Sequence, residues 1–306
     1  WGGKPNLDGV MLSYIPDVTE RAQALISKEI HVALDLKGEA ISLVKETPWL
    51  KVNEVPGMQI SYIYFNQKEG VTTDVRVREA MIKALDIENM VKKLYVYGEG
   101  SREYMPLSPL SWGYDPNLIP LIPEYDPEGA KALLTEAGYP NGFSIEFYIP
   151  DSPNSVTIGM IFQQYMKKNL NIDVELITAP WGPFSDMAVS GKAPIISMSW
   201  TWDPDPYFYL NKMFHSSAIG SLGNCQGYSN PQVDKLLDEA VKISDIEERA
   251  ELYRRALKII INDRAQIDFS HSKIIVGVSE NVQDFKSYSD NSLVICSPEI
   301  NTWLSE

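Results

Sequence analysis

Histidine and cysteine are scarce in this chain of 306 residues: three of the first, His31, His215 and His271, and two of the second, Cys225 and Cys296. The histidines are dispersed and none stands in an H-E-x-x-H or Cys-rich context, so no zinc-ligand spacing exists and no metal site is expected. Each reads as a surface or packed side chain. The cysteines form neither a C-x-x-C pair nor a disulfide framework, and they do not settle a redox compartment. No apolar run approaches the ~20 residues that span a bilayer; the most apolar stretches, such as Lys273–Val278, read as buried strand. Also missing are the G-x-S-x-G elbow, the G-x-x-x-x-G-K-S/T phosphate cradle and a G-x-G-x-x-G turn opening a helix. Basic residues are in deficit, 27 Lys plus Arg against 41 Asp plus Glu, and the net charge of −14 repels nucleic-acid backbones and anionic lipid. A nucleic-acid partner is therefore not expected. The opening Trp1-Gly-Gly-Lys-Pro5 has no initiating Met, basic n-region or apolar h-region, so a targeting segment would lie upstream, and its absence here does not argue for cytoplasm.

The composition, 44% hydrophobic and 22% charged, is that of a folded chain. At roughly 150 residues per domain the length allows one large domain or two ordinary ones. Leu7–Pro16 reads as a strand, and Val18–Ile26 carries helical spacing with Ala22, Leu25 and Ile26 on one face. Gln59–Asn66 alternates as a strand. Asp74 is placed to cap a helix whose Val77, Ala80, Met81, Ala84 and Leu85 form a core stripe, with Arg76 and Arg78 outside it. Five prolines between Met105 and Tyr125 remove enough amide donors to predict a long ordered loop. Asp126-Pro127 starts a helix that Gly138 ends. Strand 143–149, helix 156–170 and strand 172–177 then make a β-α-β unit, which implies a parallel crossover. Helices are expected again over 231–241 and 246–262, and a strand over 265–278. The coarse result is mixed α/β.

The densest unusual segment is Ser199-Trp-Thr-Trp-Asp-Pro-Asp-Pro-Tyr-Phe-Tyr-Leu210, with two tryptophans, two carboxylates and three further aromatics in twelve residues. Asp203 and Asp205 could be the paired carboxylates of a glycoside hydrolase, which stand ~5–9.5 Å apart. Both precede proline, however, and Asp205-Pro206 has the form of a helix cap and first turn running through Met213. For Asp205 we take the cap. Asp203 differs, because aromatic walls around a lone carboxylate make a pocket that holds an ammonium group by charge-assisted hydrogen bonds. From local sequence alone, Trp200 and Trp202 read first as core.

Several segments together resemble the carboxy-terminal part of a family 5 extracellular solute-binding protein, the oligopeptide, dipeptide and nickel receptors of ABC importers. They are Trp1–Val10; Ile26-Ser-Lys-Glu-Ile-His31, similar to the family's L-x-x-G-E-I-D; Asp74–Ala80; Ala130–Gly138 before Tyr139-Pro140; Trp200–Asp203; Gly227–Leu237; and Glu248-Arg249 followed by Leu252-Tyr253, Ala256 and Ile259-Ile260. Lys28 and His31 replace the Gly and Asp of the second segment, Ser199 stands where Gly is common, and Ile267–His271 stands where the family often has Pro followed by aromatics.

The resemblance implies an α/β fold of the type II periplasmic-binding-protein kind, a two-lobed clamshell with one lobe nearly complete and the other partial. Residues 1–57 and 276–306 would belong to lobe I, 58–67 and 264–275 would be crossovers, and 68–263 would form lobe II. It also implies a non-enzymatic, monomeric, extracytoplasmic receptor, periplasmic or lipid-anchored, without a cofactor. Such a receptor captures a peptide by closure and hands it to the transmembrane subunits of an importer. Trp200 and Asp203 match the position where peptide-binding members hold the ligand's amino terminus, and Trp202, Thr201 and Asn66 complete the expected ligand-binding set. An oligosaccharide ligand stacked on the tryptophans is the alternative within the same family.

Overall fold

A computed structural model of the chain describes residues 4–290 and 292–305, so Trp1–Gly3 of the first resemblance segment lie outside the described residues. In chain order the elements begin with α1 (Val18–Ile26), β1 (Val32–Ala33), α2 (Glu39–Lys45), β2 (Leu50–Phe65), α3 (Val75–Lys83), α4 (Ile87–Leu94) and β3 (Gly100–Arg102). They continue with α5 (Pro127–Glu136), β4 (Ser144–Pro150), α6 (Pro153–Leu170), β5 (Asp173–Ala179), α7 (Trp181–Ser190), β6 (Ile195–Thr201) and α8 (Pro206–Phe214). Last come α9 (Pro231–Ala240), α10 (Ile246–Asn262), β7 (Gln266–Ser279), β8 (Val282–Gln283) and β9 (Trp303–Leu304).

Local chemistry sets the helix starts. Asp17, Asp74, Asp126, Ser152, Asp205, Asn230 and Asp245 each accept from an amide of the first turn of the helix that follows, and proline fills the first turn of α5, α6, α8 and α9. These side chains satisfy amides that an isolated helix leaves unbonded. The long proline-rich stretch is mostly irregular, with a 3₁₀ turn over Pro116–Leu121 capped by Asp115.

The chain divides into two compact units. The first holds described residues through Met58, then Tyr95–Ser101 and the chain from His271; the second holds Gln59–Leu94 and Arg102–Ser270. Residues 95–101 group with the first unit.

In the first unit β1 pairs antiparallel with β7, Val32 opposite Val278 and Ala33 opposite Gly277. Helices α1 and α2 bury Ala22, Leu25, Ile41 and Val44 together with Ile275. Gly277 permits that packing, since a Cβ there would lie 2.6 Å from Leu25 Cδ2. Lys28, just past α1, has φ +65° and its ammonium lies 5.2 Å from the Trp49 ring centroid. A left-handed residue after a helix is ordinarily Gly, which gives a physical reason for the family's Gly where this chain has Lys28. The strand read over Leu7–Pro16 does not form: that stretch carries neither helix nor strand, and Met11 and Tyr14 are 91% and 92% exposed. Apolar alternation makes a strand only where a ladder partner satisfies the backbone, and no described strand pairs with it.

In the second unit the later part of β2 pairs antiparallel with β6, from Gln59 opposite Thr201 to Phe65 opposite Ile195. Strand β4 lies parallel to both β6 and β5, with α6 making the β4-to-β5 connection that the β-α-β pattern predicts. The core behind this sheet is aromatic, with Tyr62, Tyr64, Tyr209, Phe214, Tyr228 and Tyr253 buried. The sequence reading passed over α4, α7 and β6. Val241, the last residue of the helix expected over 231–241, is the C-cap of α9 and 46% exposed.

One residue is placed opposite to expectation. Arg78 is not outside the α3 stripe but 5% exposed. Its guanidinium donates to the carbonyls of Thr72 at 2.8 Å, Thr73 at 3.0 Å, Arg264 at 3.0 Å and Asp263 at 2.6 Å. The last two carbonyls follow α10, where helix ends leave acceptors unbonded and favour a cation. Arg76 stays exposed and pairs with Asp74 at 2.6 Å. Arg78→Leu strands several buried carbonyls and should lower the unfolding free energy by about 3–5 kcal/mol. Arg76→Leu should leave the unfolding free energy nearly unchanged, since its pair with Asp74 is solvent-exposed. Urea denaturation of the two variants checks this; equal effects contradict it.

Candidate functional site

The site expected from sequence falls at the end of β6, in the second unit. Strand β6 alternates so that Ile196, Met198 and Trp200 face the aromatic core, while Ser199 and Thr201 are exposed. Trp200 and Trp202 are both half-buried and packed against the core. Their rings stack with centroids 5.3 Å apart and planes 22° apart, and Trp202 meets Tyr209 edge-on at 4.8 Å. The tryptophans thus serve in part as core, each keeping some exposed surface. Asp203 is exposed, and no described residue forms an ion pair or hydrogen bond with it. Tyr207 and Phe208, in the first turn of α8, are 38% and 44% exposed.

Asn66 stands apart from these four. It is 3% exposed, its amide hydrogens go to the carbonyls of Gly191 at 2.8 Å and Ala193 at 3.3 Å, and its side-chain oxygen accepts from the amides of Lys68 and Glu69. The amide is spent holding the turn after β2 to the turn before β6, which leaves no donor for a ligand.

Asp205 is also spoken for. One carboxylate oxygen accepts from the Tyr207 amide at 2.9 Å, which caps α8, and the group pairs with Arg249 at 3.2 Å. A carboxylate held by a cap and a guanidinium is a poor nucleophile or proton shuttle, so the glycosidase arrangement of Asp203 with Asp205 gains nothing from the geometry. The sequence reading missed the residues beneath this turn. Ser111 Oγ donates to Pro204 O at 2.8 Å, and a Cβ on Gly113 would come 2.5 Å from the Pro206 ring. The guanidinium of Arg249 lies 5.1 Å from the Trp112 ring centroid. Trp112 in a proline-rich loop and Arg249 in the last resemblance segment were the available signals.

Among the described residues no group of three or more His, Cys, Asp or Glu is placed to hold a metal ion. Cys225 and Cys296 are both free thiols, and burial pushes the Cys225 thiol up to about 12. No described helix is long and apolar enough to cross a membrane.

A second group of polar residues is buried at the start of β7. Asp268 is 6% exposed and accepts from Gln266 Nε2. Burial pushes its carboxyl well above the usual carboxylate range, with Glu103 adding to the rise and Gln266 and Arg102 opposing it. Tyr62 Oη and Gln266 Oε1 are buried beside these groups without a hydrogen-bond partner.

The family described as bacterial extracellular solute-binding proteins, family 5, middle part, matches residues 1–221, and the chain belongs to it. Heme-binding protein A of Haemophilus influenzae is 30% identical over 291 residues, covering 93% of this chain and 52% of that protein. The dipeptide-binding protein of Escherichia coli is 28% identical over 292 residues, 93% of this chain and 54% of its own length. Among solved structures, the periplasmic binding protein DppA from Helicobacter pylori in complex with peptide STSA superposes with TM-score 0.81 at 26% identity, covering 100% of this chain and 59% of that one. The chain therefore spans about half the length of the curated relatives it matches. Each of these relatives is named as a binding protein.

A carboxyl whose folded pKa is raised favours folding below the unfolded value near ~4 and loses that contribution as pH rises through the folded value. The carboxyls held low, Glu54, Asp74, Asp126 and Asp290, act in the opposite sense and only under acid conditions. Between pH 5 and pH 8 the chain should therefore lose stability through Asp268, and Asp268→Asn should flatten that slope in denaturant titrations. A variant with an unaltered slope contradicts the assignment.

Proposed function

We propose that the chain is the ligand-holding part of an extracytoplasmic receptor that captures short peptides for an ABC importer, with Asp203 gripping the peptide's ammonium terminus. The observation that carries the reading is an exposed carboxylate without an internal cation, set between two half-buried tryptophans and a turn pinned from below. Such a group has no part in holding the fold together, and a charge-assisted hydrogen bond to an ammonium group is the strongest interaction open to it. The dipeptide-binding name of one relative and the peptide in a similar solved structure support the same class.

Peptide is favoured over oligosaccharide because Trp200 and Trp202 stack on one another, which leaves less free ring face for a sugar than two separated indoles would. Trp200, Trp202 and Thr201 line the approach, Thr201 from an exposed edge where a ligand's backbone could add hydrogen bonds. Asn66 supports the turn rather than the ligand. Nothing favours the glycoside hydrolase. Capture follows as a population shift: ligand that contacts the closed receptor better than the open one moves the equilibrium to closed, and the importer's membrane subunits read that form. The receptor works in the periplasm or on a lipid anchor at the cell surface.

Native mass spectrometry of the full-length protein should find co-purified peptides of mixed sequence. In calorimetry Asp203→Ala should weaken binding of a free-amine tripeptide by at least ~30-fold, the scale of stranding a buried charge partner. An N-acetylated tripeptide should bind weakly to both proteins. Unchanged affinity in Asp203→Ala, or equal binding of the acetylated peptide, sinks the reading.

A further inference from the structure

We infer that Arg249 is a positioning residue for the ligand-binding turn, acting through Asp205 to hold Asp203 in place; the inference rests on the peptide reading of that turn. Asp203 has no anchor of its own. Its neighbours on both sides are anchored: Trp202 lies edge-on against Tyr209 at 4.8 Å, the Pro204 carbonyl accepts from Ser111 at 2.8 Å, and Asp205 pairs with Arg249 at 3.2 Å. Arg249 is the only cation in this set, and it comes from α10, 44 residues away in sequence.

The surroundings of Arg249 argue that it is a strut and not a casual surface pair. Its guanidinium sits 5.1 Å from the Trp112 ring centroid and 5.9 Å from that of Tyr253, and Trp112 and Tyr253 are themselves packed edge-on at 5.6 Å. The planar group is therefore fixed in direction by two aromatic rings before it meets the carboxylate, so little rotamer freedom remains to be lost. Its Nε is buried without a hydrogen-bond partner. A buried donor left unsatisfied is a cost, and the pose that incurs it is the one that reaches Asp205. Trp112 belongs to the same short loop as Ser111, so the aromatic ring steering Arg249 and the hydroxyl holding Pro204 come from one segment. That loop and α10 together fix both residues following Asp203.

The consequence is preorganisation. A carboxylate on a turn that is already ordered loses less freedom when it meets a ligand than one on a mobile loop. Loosening Asp205 should weaken ligand binding without touching a ligand-contacting atom.

The test uses the full chain with Arg249→Met, Asp205→Asn and the double variant. Asparagine still caps α8, so Asp205→Asn removes the ion pair and keeps the helix start. Amide exchange by NMR at Thr201, Trp202, Asp203 and Asp205 should rise about 3–10-fold in each variant, the range of a part-buried ion pair, with α10 amides and melting temperature nearly unchanged. Tripeptide affinity should fall by a similar ~3–10-fold in each single variant, and the double should be no weaker than the weaker single, as for two groups acting through one contact. If Arg249→Met fails to fold, Arg249→Lys, which keeps the charge and loses the fork, makes the same comparison and should fall between wild type and Asp205→Asn. Unchanged exchange at the turn, or losses that multiply in the double variant, overturns the strut. A wild-type chain that binds no tripeptide overturns the peptide reading instead, and the exchange measurement still decides the strut.

Discussion

The turn after β6 is held through the residues flanking Asp203, while no described residue forms a hydrogen bond or ion pair with Asp203 itself. Trp202 is packed on Tyr209, Pro204 is held by Ser111, and Asp205 is shared between the start of α8 and Arg249. The rest of the second unit serves that arrangement. Strand β6 is held in register by β2, with Ile60 opposite Trp200, so the end of the strand cannot slide without turning its tryptophan out of the core. The aromatic core gives Trp202 a fixed surface, and α10 brings Arg249 to pair with the turn. The exposed Asp203 stands between neighbours that are anchored by other residues, the form that a preorganised binding group takes.

Buried polar groups elsewhere follow the same rule with a different outcome. Arg78 and Asn66 meet neighbouring carbonyls and amides so fully that nothing remains for a ligand. Asp268 is buried, with Gln266 donating to its side chain, and burial raises its proton affinity. Comparing these residues with Asp203 separates charge that holds the fold from charge that the fold leaves unpaired among the described residues.

Much of this fold was legible in the sequence because caps and periodicity are local. Asp74, Asp126, Asp205 and Asn230 marked helix starts that the structure contains, and the strands at 144–150 and 173–179 run parallel as the intervening helix required. What failed was non-local. Leu7–Pro16 has the pattern of a strand without a ladder partner among the described residues. Arg78 looked like a solvent-facing arginine because the carbonyls it bonds, at Asp263 and Arg264, lie far along the chain. Strand β6, Ile-Ile-Ser-Met-Ser-Trp-Thr, is apolar on both sides at its start, so its register shows only once β2 and β4 flank it. The candidate site divides in the same way: tryptophans and acid stand together in sequence, whereas Ser111, Trp112 and Arg249 reach the turn only through folding.

The chain belongs to the solute-binding family, and relatives of similar identity carry heme-binding and dipeptide-binding names, so the choice of ligand rests on the particular side chains. The most direct measurement of the central claim is a crystal structure of the full-length protein with its co-purified ligand. The account predicts a ligand ammonium nitrogen about 2.7–2.9 Å from a carboxylate oxygen of Asp203, the spacing of a charge-assisted hydrogen bond, with the Asp205 to Arg249 contact intact. A ligand bound with the Asp203 side chain turned to solvent would contradict it.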